Sequence, residues 1–489
     1  MSCFIADLLK DWPCTWIQGS FAQPIYGIKD DSRKIKKGDL FVAINGKKDK
    51  GRIYINEAIQ KGAICIISEE KVDEILNPSI AFATVPNTKT FLSHACARFF
   101  GNPSEKLHVI AVTGTNGKTT VSHLIGQLLD SQGVQVAVIG TLGLFINGKK
   151  IHQFHSNLTT WSAIELHQTL AYCVNNHVTH VVLEASSMGL AQHRLDHCSI
   201  DQGVFLNLGH DHLEDHAGFE EYGKSKRKLI NLCKQIVANE DDEYWNEHVT
   251  KSDKPVDWFN SGQIELVEMK SNQMLIRLKG DRTIIPIQFT GVFNVANLAA
   301  ALMTLNQIGF SANLLKPFLS YLSLPMGRLQ MVEGDYCEVF IDYAHTPEAL
   351  QQVLESLRDF VKGRLVLVFG CGGDRDHEKR SEMGKIASMY ADKVIVTSDN
   401  PRSENPIDIC HDIIKDLPSL STIHVELDRK EAIEKALQLA NQLDTVLIAG
   451  KGHETTQHIG SNIIPLSDEQ IVKEFLARRN DKERAGSDC

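Results

Sequence analysis

The stretch VTGTNGKTTV, residues 112–121, follows the apolar run LHVIA and precedes SHLIGQLLDSQG. Glycines at 114 and 117 let backbone N–H groups approach phosphate oxygens, Lys118 supplies a point charge, and Thr119 offers a hydroxyl to magnesium at a helix N-terminus. The first glycine of the usual GxxxxGK[ST] pattern would fall at Val112, so the standard form is broken. Strand, Gly114, Gly117, Lys118, Thr119 and amphipathic helix together still favour nucleotide binding over a bland turn.

Other loops carry groups that could complete such a site. In HVVLEASSMGLAQHR, Glu184 closes a buried-looking strand, where a carboxylate needs a partner or a cation; magnesium ligation and a turn cap are the two readings. HDHLEDH places His210, His212 and His216 beside Asp211, Glu214 and Asp215. No cysteine is near, so service of a hard metal by one histidine is expected rather than zinc. By spacing alone, Lys226 in YGKSKRKLI is a solvated lysine on a helix. Near the C-terminus, FGCGGDRD, SDNPR and GKGHE each follow an apolar run. Arg375 and Arg402 have the fork geometry for carboxylates, and the glycines expose backbone donors to an anion. An early segment, DSRKIKKGDLFVAINGKKDKGR, holds eight Lys or Arg in a chain of net charge -10, fitting either a solvated face or an anionic ligand.

These loops need strands and helices to position them. Apolar runs alternate with helical patterns in three blocks: a small α/β unit ending near 100, a doubly wound parallel block that includes a helix from Lys118 to about Gln132, and a third block starting near 330. Ligands of open parallel sheets sit at the carboxyl ends of the strands, where these loops lie. With 489 residues and 43% hydrophobic content the chain can fill several cores, and its acidic balance argues against a general nucleic-acid binder. Eleven scattered cysteines with no CxxC fit neither a disulfide framework nor a zinc ribbon. No leader or membrane span is read, so a soluble cytoplasmic protein is expected, with a polar, frayed tail RRNDKERAGSDC.

In the order TGTNGKTT, GVFNVANLAAAL, PMGRLQ, DYAHTP, FGCGGDRD, DNPR and GKGHE, the chain resembles the Mur ligase family from about Asp31 to Asp468. The resemblance implies three domains: 1–100 for the UDP-substrate, a central P-loop domain at 101–330 for ATP, and a Rossmann-like domain at 331–489 for the incoming amino acid. DSR with GDLFVA, together with DNPR, is most similar to members that add meso-diaminopimelate to UDP-N-acetylmuramoyl-L-alanyl-D-glutamate through an acyl phosphate. Lysine-adding members and folylpolyglutamate synthetase-like ligases are the enzymatic alternatives. A nucleotide-dependent switch protein is the rival of another class.

Residue by residue, the resemblance assigns Gly114, Thr115, Asn116, Gly117, Lys118, Thr119 and Thr120 to ATP, with Asn294, Arg328, Asp342 and His345. Ser32 and Lys47, Lys48 and Asp49 match the uridine diphosphate end. Asn157, Thr159, Thr160, Ser186, Gln192 and Arg194 match the muramoyl dipeptide site. Thr119, Glu184 and His212 match magnesium positions, and Lys226 matches the lysine that the family carbamylates. With Lys118, the groups Glu184, His212 and Lys226 form the implied catalytic set. Arg375, Asp399, Asn400, Pro401, Arg402, Gly450 and Glu454 match the diaminopimelate site. Mg2+ is the implied cofactor and ATP a co-substrate; a monomer without nucleic-acid or membrane partners is expected. Trp161, Asp30 and Gln330 depart from the family pattern near the muramoyl and uracil contacts.

Overall fold

Short apolar strands covered on both faces by helices are the signature of parallel sheets, and each block builds one. The computed structural model describes residues 3–46, 50–71, 77–209, 216, 218–334, 336–417, 419 and 421–487. In the first block the strands run in the order Thr15–Gln18, Ala81–Thr84, Cys65–Ser68, Asp39–Val42, Gly27–Lys29. All neighbours are parallel except the pair formed by Thr15–Gln18 with Ala81–Thr84.

The central sheet orders eight strands as Lys149–Lys150, Gly143–Ile146, Val136–Gly140, His180–Glu184, His108–Thr113, Ile200–Phe205, Cys233–Asn239, Val256–Phe259. The first two form an antiparallel hairpin at the edge; the others are parallel. Strand His108–Thr113 sits where sequence order reverses, the place at which such sheets open a ligand crevice. The helix that follows it is Lys118–Ser131, close to the expected span. A small antiparallel sheet of Ile264–Lys270, Gln273–Leu278 and Ile285–Ile287 was not read from the sequence. Its Met274, Ile276 and Leu278 alternate inward and share one core with helix Phe293–Gln307.

The third sheet runs Gln330–Val332, Glu338–Asp342, Thr445–Ala449, Leu365–Phe369, Lys393–Val396, Ile423–Val425, parallel apart from its first pair. Its helix Pro347–Arg358 forms because Thr346 Oγ1 caps the Ala349 N–H at 3.2 Å and Pro347 presets the first turn. Leu350, Val353, Leu354 and Leu357, one helical stripe, are buried against the sheet. Three adjacent strands, Thr445–Ala449, Leu365–Phe369 and Lys393–Val396, release GKGHE, FGCGGDRD and SDNPR side by side. Of the tail expected to fray, the described residues as far as Ser487 instead continue helix Asp468–Ser487, and the last two lie outside the described residues. The described cysteines are all free, and among the described residues no single helix is long and apolar enough to cross a membrane.

The C-terminal helix is pinned by a wholly buried ion pair: Arg429 Nε and Nη2 donate to the two Asp468 oxygens at 2.8 Å, and Nη2 also to Ala449 O at 3.0 Å. Asp468→Ala leaves that guanidinium buried without its counter-charge, so unfolding free energy falls by about 3–5 kcal/mol in urea titrations. On the helix Ala163–Asn175, His167 is fully buried and neither ring nitrogen has a hydrogen-bond partner. Burial pushes its imidazole down to about 3. The unfolded state binds that proton more readily, so stability is full above about pH 6.5 and is lost as pH falls toward 3. By pH 5 this site alone removes about 2 kcal/mol, and His167→Leu flattens thermal midpoints measured between pH 7.5 and 5.

Candidate functional site

The loop after His108–Thr113 closes tightly because two of its positions admit only glycine. Gly117 has φ +88°, and a Cβ there would lie 2.5 Å from Asn297 Oδ1; a Cβ on Gly114 would meet Leu206 Cβ at 2.8 Å. Thr115 N donates to Asn207 O and Asn116 N to Asn207 Oδ1, both at 2.8 Å, so the strand Ile200–Phe205 and its loop fix the turn from behind. Helical bonding starts with Val121 N to Gly117 O at 2.8 Å, which leaves the preceding N–H groups aimed into the loop. Lys118 Nζ donates to Gly114 O and Thr115 O at 2.9 Å, arching over the turn.

Glu184 joins two groups of expected ligand residues. It is 2% exposed, and its Oε2 accepts from Thr119 Oγ1 at 3.0 Å and Thr141 Oγ1 at 3.1 Å, while Oε1 accepts from Thr141 N at 2.9 Å. A Cβ on Gly140 would lie 2.1 Å from Glu184 Oε1, so the neighbouring strand must end on glycine for the carboxylate to fit. Thr141 Oγ1 also reaches Thr159 Oγ1 at 3.2 Å. Thr160 Oγ1 donates to Glu184 O at 2.8 Å and accepts from Ser186 N at 2.7 Å. Arg194 closes this set, donating to Thr160 O at 2.5 Å and Gln192 Oε1 at 2.6 Å. Asn157 is exposed on the same loop. Trp161, which departs from the family pattern, is 1% exposed with Nε1 donating to Gly140 O at 3.1 Å, so it braces the strand end from the core.

Lys226 is 1% exposed, contrary to its solvated appearance in sequence. Its Nζ donates to Gly114 O at 2.7 Å and lies 4.6 Å from the Tyr222 ring centroid. Two ammonium groups, those of Lys118 and Lys226, thus converge on one carbonyl oxygen. His216 Nε2 lies 3.1 Å from Ser187 Oγ. Lys47, Lys48, Asp49 and His212, with His210, Asp211, Glu214 and Asp215, lie outside the described residues. Ser32 is buried and donates to Glu57 Oε2 at 2.6 Å, next to Asp31, whose carboxylate caps the Arg33 N–H at 3.0 Å.

A cavity of about 330 Å³ opens between the central and third sheets, lined by Asn116, Gly117, Thr120, Asn297, Arg328, Asp342 and His345 among others. Asn294 stands one layer behind, donating to Thr290 O at 2.7 Å and accepting from Asn297 Nδ2 at 2.9 Å. Arg328 lies 4.7 Å from the Tyr343 ring centroid and places Nη2 3.4 Å from Thr119 Oγ1. Gln330, another departure, accepts from Gly327 N at 2.8 Å and shapes the turn before Arg328. Asp342 receives the N–H groups of Leu329 at 2.6 Å and Ala344 at 2.7 Å; burial raises its carboxyl above the usual range against the opposing pull of Arg328. Burial, with Arg328 nearby, pushes His123 and His453 down to about 4, so both imidazoles are neutral at neutral pH and add no charge to that of Arg328.

Across the third sheet's loops, Asn400 Nδ2 donates to Glu454 Oε2 at 2.9 Å. Gly450 has φ +108°, and a Cβ there would lie 2.9 Å from Asp399 Oδ2. A Cβ on Gly372 would lie 2.8 Å from Arg402 Nη1 and 3.7 Å from Arg375 Cγ, so both arginines face one glycine turn. The Pro401 carbonyl closes on neighbouring Gly373, where a Cβ would meet it at 1.9 Å. Sequence reading missed Lys451: it is fully buried and its Nζ donates to Asn400 Oδ1 at 3.2 Å, Glu454 Oε2 at 2.7 Å and Thr456 O at 2.8 Å. Its signal was a lysine between two glycines that both adopt positive φ. His453, in the same loop, packs 5.1 Å from Tyr343, which connects this surface to Arg328 and the phosphate loop.

Fold and site define a three-block α/β protein in which a tight glycine loop opens a helix beside a second surface where Arg375 and Arg402 face one glycine turn. Three family descriptions match it: Mur ligase family, catalytic domain, over residues 24–100; Mur ligase middle domain over 112–305; and Mur ligase, glutamate ligase domain, over 327–452. The chain belongs to the Mur ligase family, whose members are ATP-dependent ligases. It is similar to the UDP-N-acetylmuramoyl-L-alanyl-D-glutamate--2,6-diaminopimelate ligase of Caldanaerobacter subterraneus subsp. tengcongensis, 38% identical over 483 residues that cover 97% of this chain and 99% of that protein. A solved structure of a ligase of the same description is 32% identical, with TM-score 0.67, over 98% of this chain and 100% of that one. The MurF ligase of Thermotoga maritima in complex with ADP shares the fold, at TM-score 0.63 and 20% identity over 93% and 98% of the two chains.

Gly117→Ala forces a side chain into a left-handed position against Asn297, a strain of about 1–3 kcal/mol. Calorimetric titration with ADP reads this as roughly tenfold or greater loss of affinity.

Proposed function

We propose that this chain joins meso-diaminopimelate to the D-glutamyl γ-carboxyl of UDP-N-acetylmuramoyl-L-alanyl-D-glutamate, a cytoplasmic step of peptidoglycan precursor synthesis, acting as a monomer. The observation that carries the reading is the double attachment of Glu184, to Thr119 of the phosphate loop on one side and to the Thr141, Thr159 and Thr160 group on the other. A carboxylate substrate held by that second group lies next to the nucleotide's terminal phosphate. One carboxylate oxygen attacks the γ-phosphorus, the bond to the β-γ bridging oxygen breaks, and an acyl phosphate and ADP result. The amine of diaminopimelate then attacks the acyl carbon, phosphate leaves with the transferred oxygen, and the nitrogen loses a proton.

Both steps crowd negative groups together, and this chain's residues answer with fixed positive charge. Lys118 exchanges its loop carbonyls for phosphate oxygens, the helix start donates N–H groups, and Arg328 flanks Thr119 from the junction with the third block. The donor set fits magnesium: Thr119 and Glu184 supply hard oxygens, with His212 completing the proposed ligands. When bound, that ion supplies charge neutralisation for the phosphates. Lys226 is the proposed carbamate. Its neutral amine adds carbon dioxide, forming an N–C bond and releasing a proton, and the product replaces repulsion beside Lys118 with attraction. Ser32 and Lys47 to Asp49 are assigned to the uridine diphosphate end, and Asn157, Ser186, Gln192 and Arg194 to the muramoyl dipeptide. Asn294, Asp342 and His345 frame the adenosine.

Asp399, Asn400, Pro401, Gly450 and Glu454 form the floor for the amino acid's reacting end, and Arg375 with Arg402 takes its distal carboxylate. Lysine has no such group, which gives the choice between the two amino acids a physical basis.

ADP release with the UDP-muramoyl dipeptide and a panel of amino acids tests the reading. Turnover is expected with meso-diaminopimelate; turnover with L-lysine alone, or with glutamate and a folate, defeats it. Oxygen-18 in the glutamyl side chain is expected in the liberated phosphate. Lys226→Ala is expected to lower kcat by roughly 100-fold, with partial rescue by acetate and a matching fall in wild-type activity on bicarbonate depletion. Insensitivity to both treatments removes the carbamate.

A further inference from the structure

The loops carrying Arg375 and Arg402 leave neighbouring strands, and each passes through the left-handed region, Asp374 at φ 54° and Arg402 at φ 52°. Such backbone persists only where the surroundings over-determine it. Here they are organised by one side chain outside both loops. Arg380, on the helix Glu378–Tyr390, is 1% exposed and donates through Nη1 and Nη2 to the two oxygens of Glu404 at 2.9 Å, a bidentate fork. Nη1 also donates to Asp412 Oδ2 at 3.0 Å, and Nη2 lies 3.4 Å from Gly372 O.

Glu404 belongs to the Arg402 loop, yet its Oε1 accepts the backbone N–H of Asp374 in the other loop. Asp374 answers in the opposite sense, its carboxylate accepting from Ser403 N at 3.2 Å and Ser403 Oγ at 2.5 Å. Between them, Arg402 Nη1 donates to Gly373 O at 2.7 Å and Gly373 N to Asn400 O at 2.9 Å. The Arg380 guanidinium holds the Glu404 carboxyl below the usual range, so the latch stays charged through the neutral pH region.

We propose that Arg380 is a positioning residue that sets the spacing between Arg375 and Arg402 through Glu404, and thereby the preference for an amino acid bearing a distal carboxylate. This rests on the reading of diaminopimelate as the incoming substrate. Arg380 itself touches no substrate. Loosening its latch lets the two arginines lose their common orientation, so binding of a diacid must reorder them, whereas an amino acid without the distal group does not depend on them.

The test is steady-state kinetics of the full chain and two variants, Arg380→Lys and Glu404→Gln, with all three substrates varied in turn and L-lysine as competitor. In both variants KM for meso-diaminopimelate is expected to rise roughly 10- to 100-fold, with kcat and the KM values for ATP and the UDP-dipeptide within about threefold of wild type. The yield of lysine product relative to diaminopimelate product rises in parallel. An unchanged KM for meso-diaminopimelate, or an equal rise in all three KM values, overturns the proposal; the latter is what general loosening of the domain produces. Should Arg380→Lys not fold, Glu404→Gln decides by the same criteria, because it weakens the fork while Arg380 keeps Asp412. Failure of the underlying substrate reading shows separately, as a wild-type chain that releases no ADP with meso-diaminopimelate.

Discussion

A carboxylate removed from water must receive hydrogen bonds or a cation, and Glu184, at 2% exposure, is removed almost completely. Its donors come from two different segments: the first turn of helix Lys118–Ser131 and the residue after strand Val136–Gly140. Satisfying this one acid therefore fixes the glycine loop, Thr141 with its neighbours Thr159 and Thr160, and two parallel strands relative to each other. The same oxygens are the hard donors proposed above for magnesium, so the proposed ligand set and the stability of the fold draw on one arrangement.

The third block is joined to that arrangement through side chains rather than sheet. Arg328 bridges from Thr119 to the face of Tyr343, and His453 of the GKGHE loop packs on the other part of that ring. A cation over an aromatic face gains from desolvation, and the neighbouring imidazoles stay neutral, so Arg328 carries the positive charge at this junction without repulsion from them. Lys451 extends the connection by tying Glu454 to Asn400. The loop after strand His108–Thr113 and the loops of the third sheet are thus connected by side-chain contacts around a cleft of about 330 Å³.

Much of this was legible in the amino-acid sequence, for identifiable reasons. Parallel strands buried on both faces read as plain apolar runs, and loops at their carboxyl ends advertise themselves with Gly, Asp and Asn, so the three sheets and the loops after 113, 369, 396 and 449 were all anticipated. The small sheet around Gln273–Leu278 was missed although Met274, Ile276 and Leu278 alternate, because an antiparallel insertion breaks the strand-helix rhythm being followed. Burial of Lys226 was invisible to spacing: its helix is full of charge, and what encloses it is Tyr222 one turn back and a carbonyl 112 residues away. The inward turn of Trp161 depends likewise on Gly140, a partner 21 residues distant. Which residues line the cleft, as opposed to standing behind one that does, as Asn294 stands behind Asn297, is a matter of depth that one-dimensional pattern does not carry.

The absent side chain at Gly140 has a wider effect than making room. Strand His180–Glu184 pairs with Val136–Gly140 so that Leu183 faces Ile139, which sets the acid across the bare end of its neighbour. Sliding either strand by one place would bring a bulky group under the carboxylate and exchange the side chains that face the two cores. Mispaired strands would set a side chain against the acid instead of the bare glycine, so burial of Glu184 selects the register of the sheet around it.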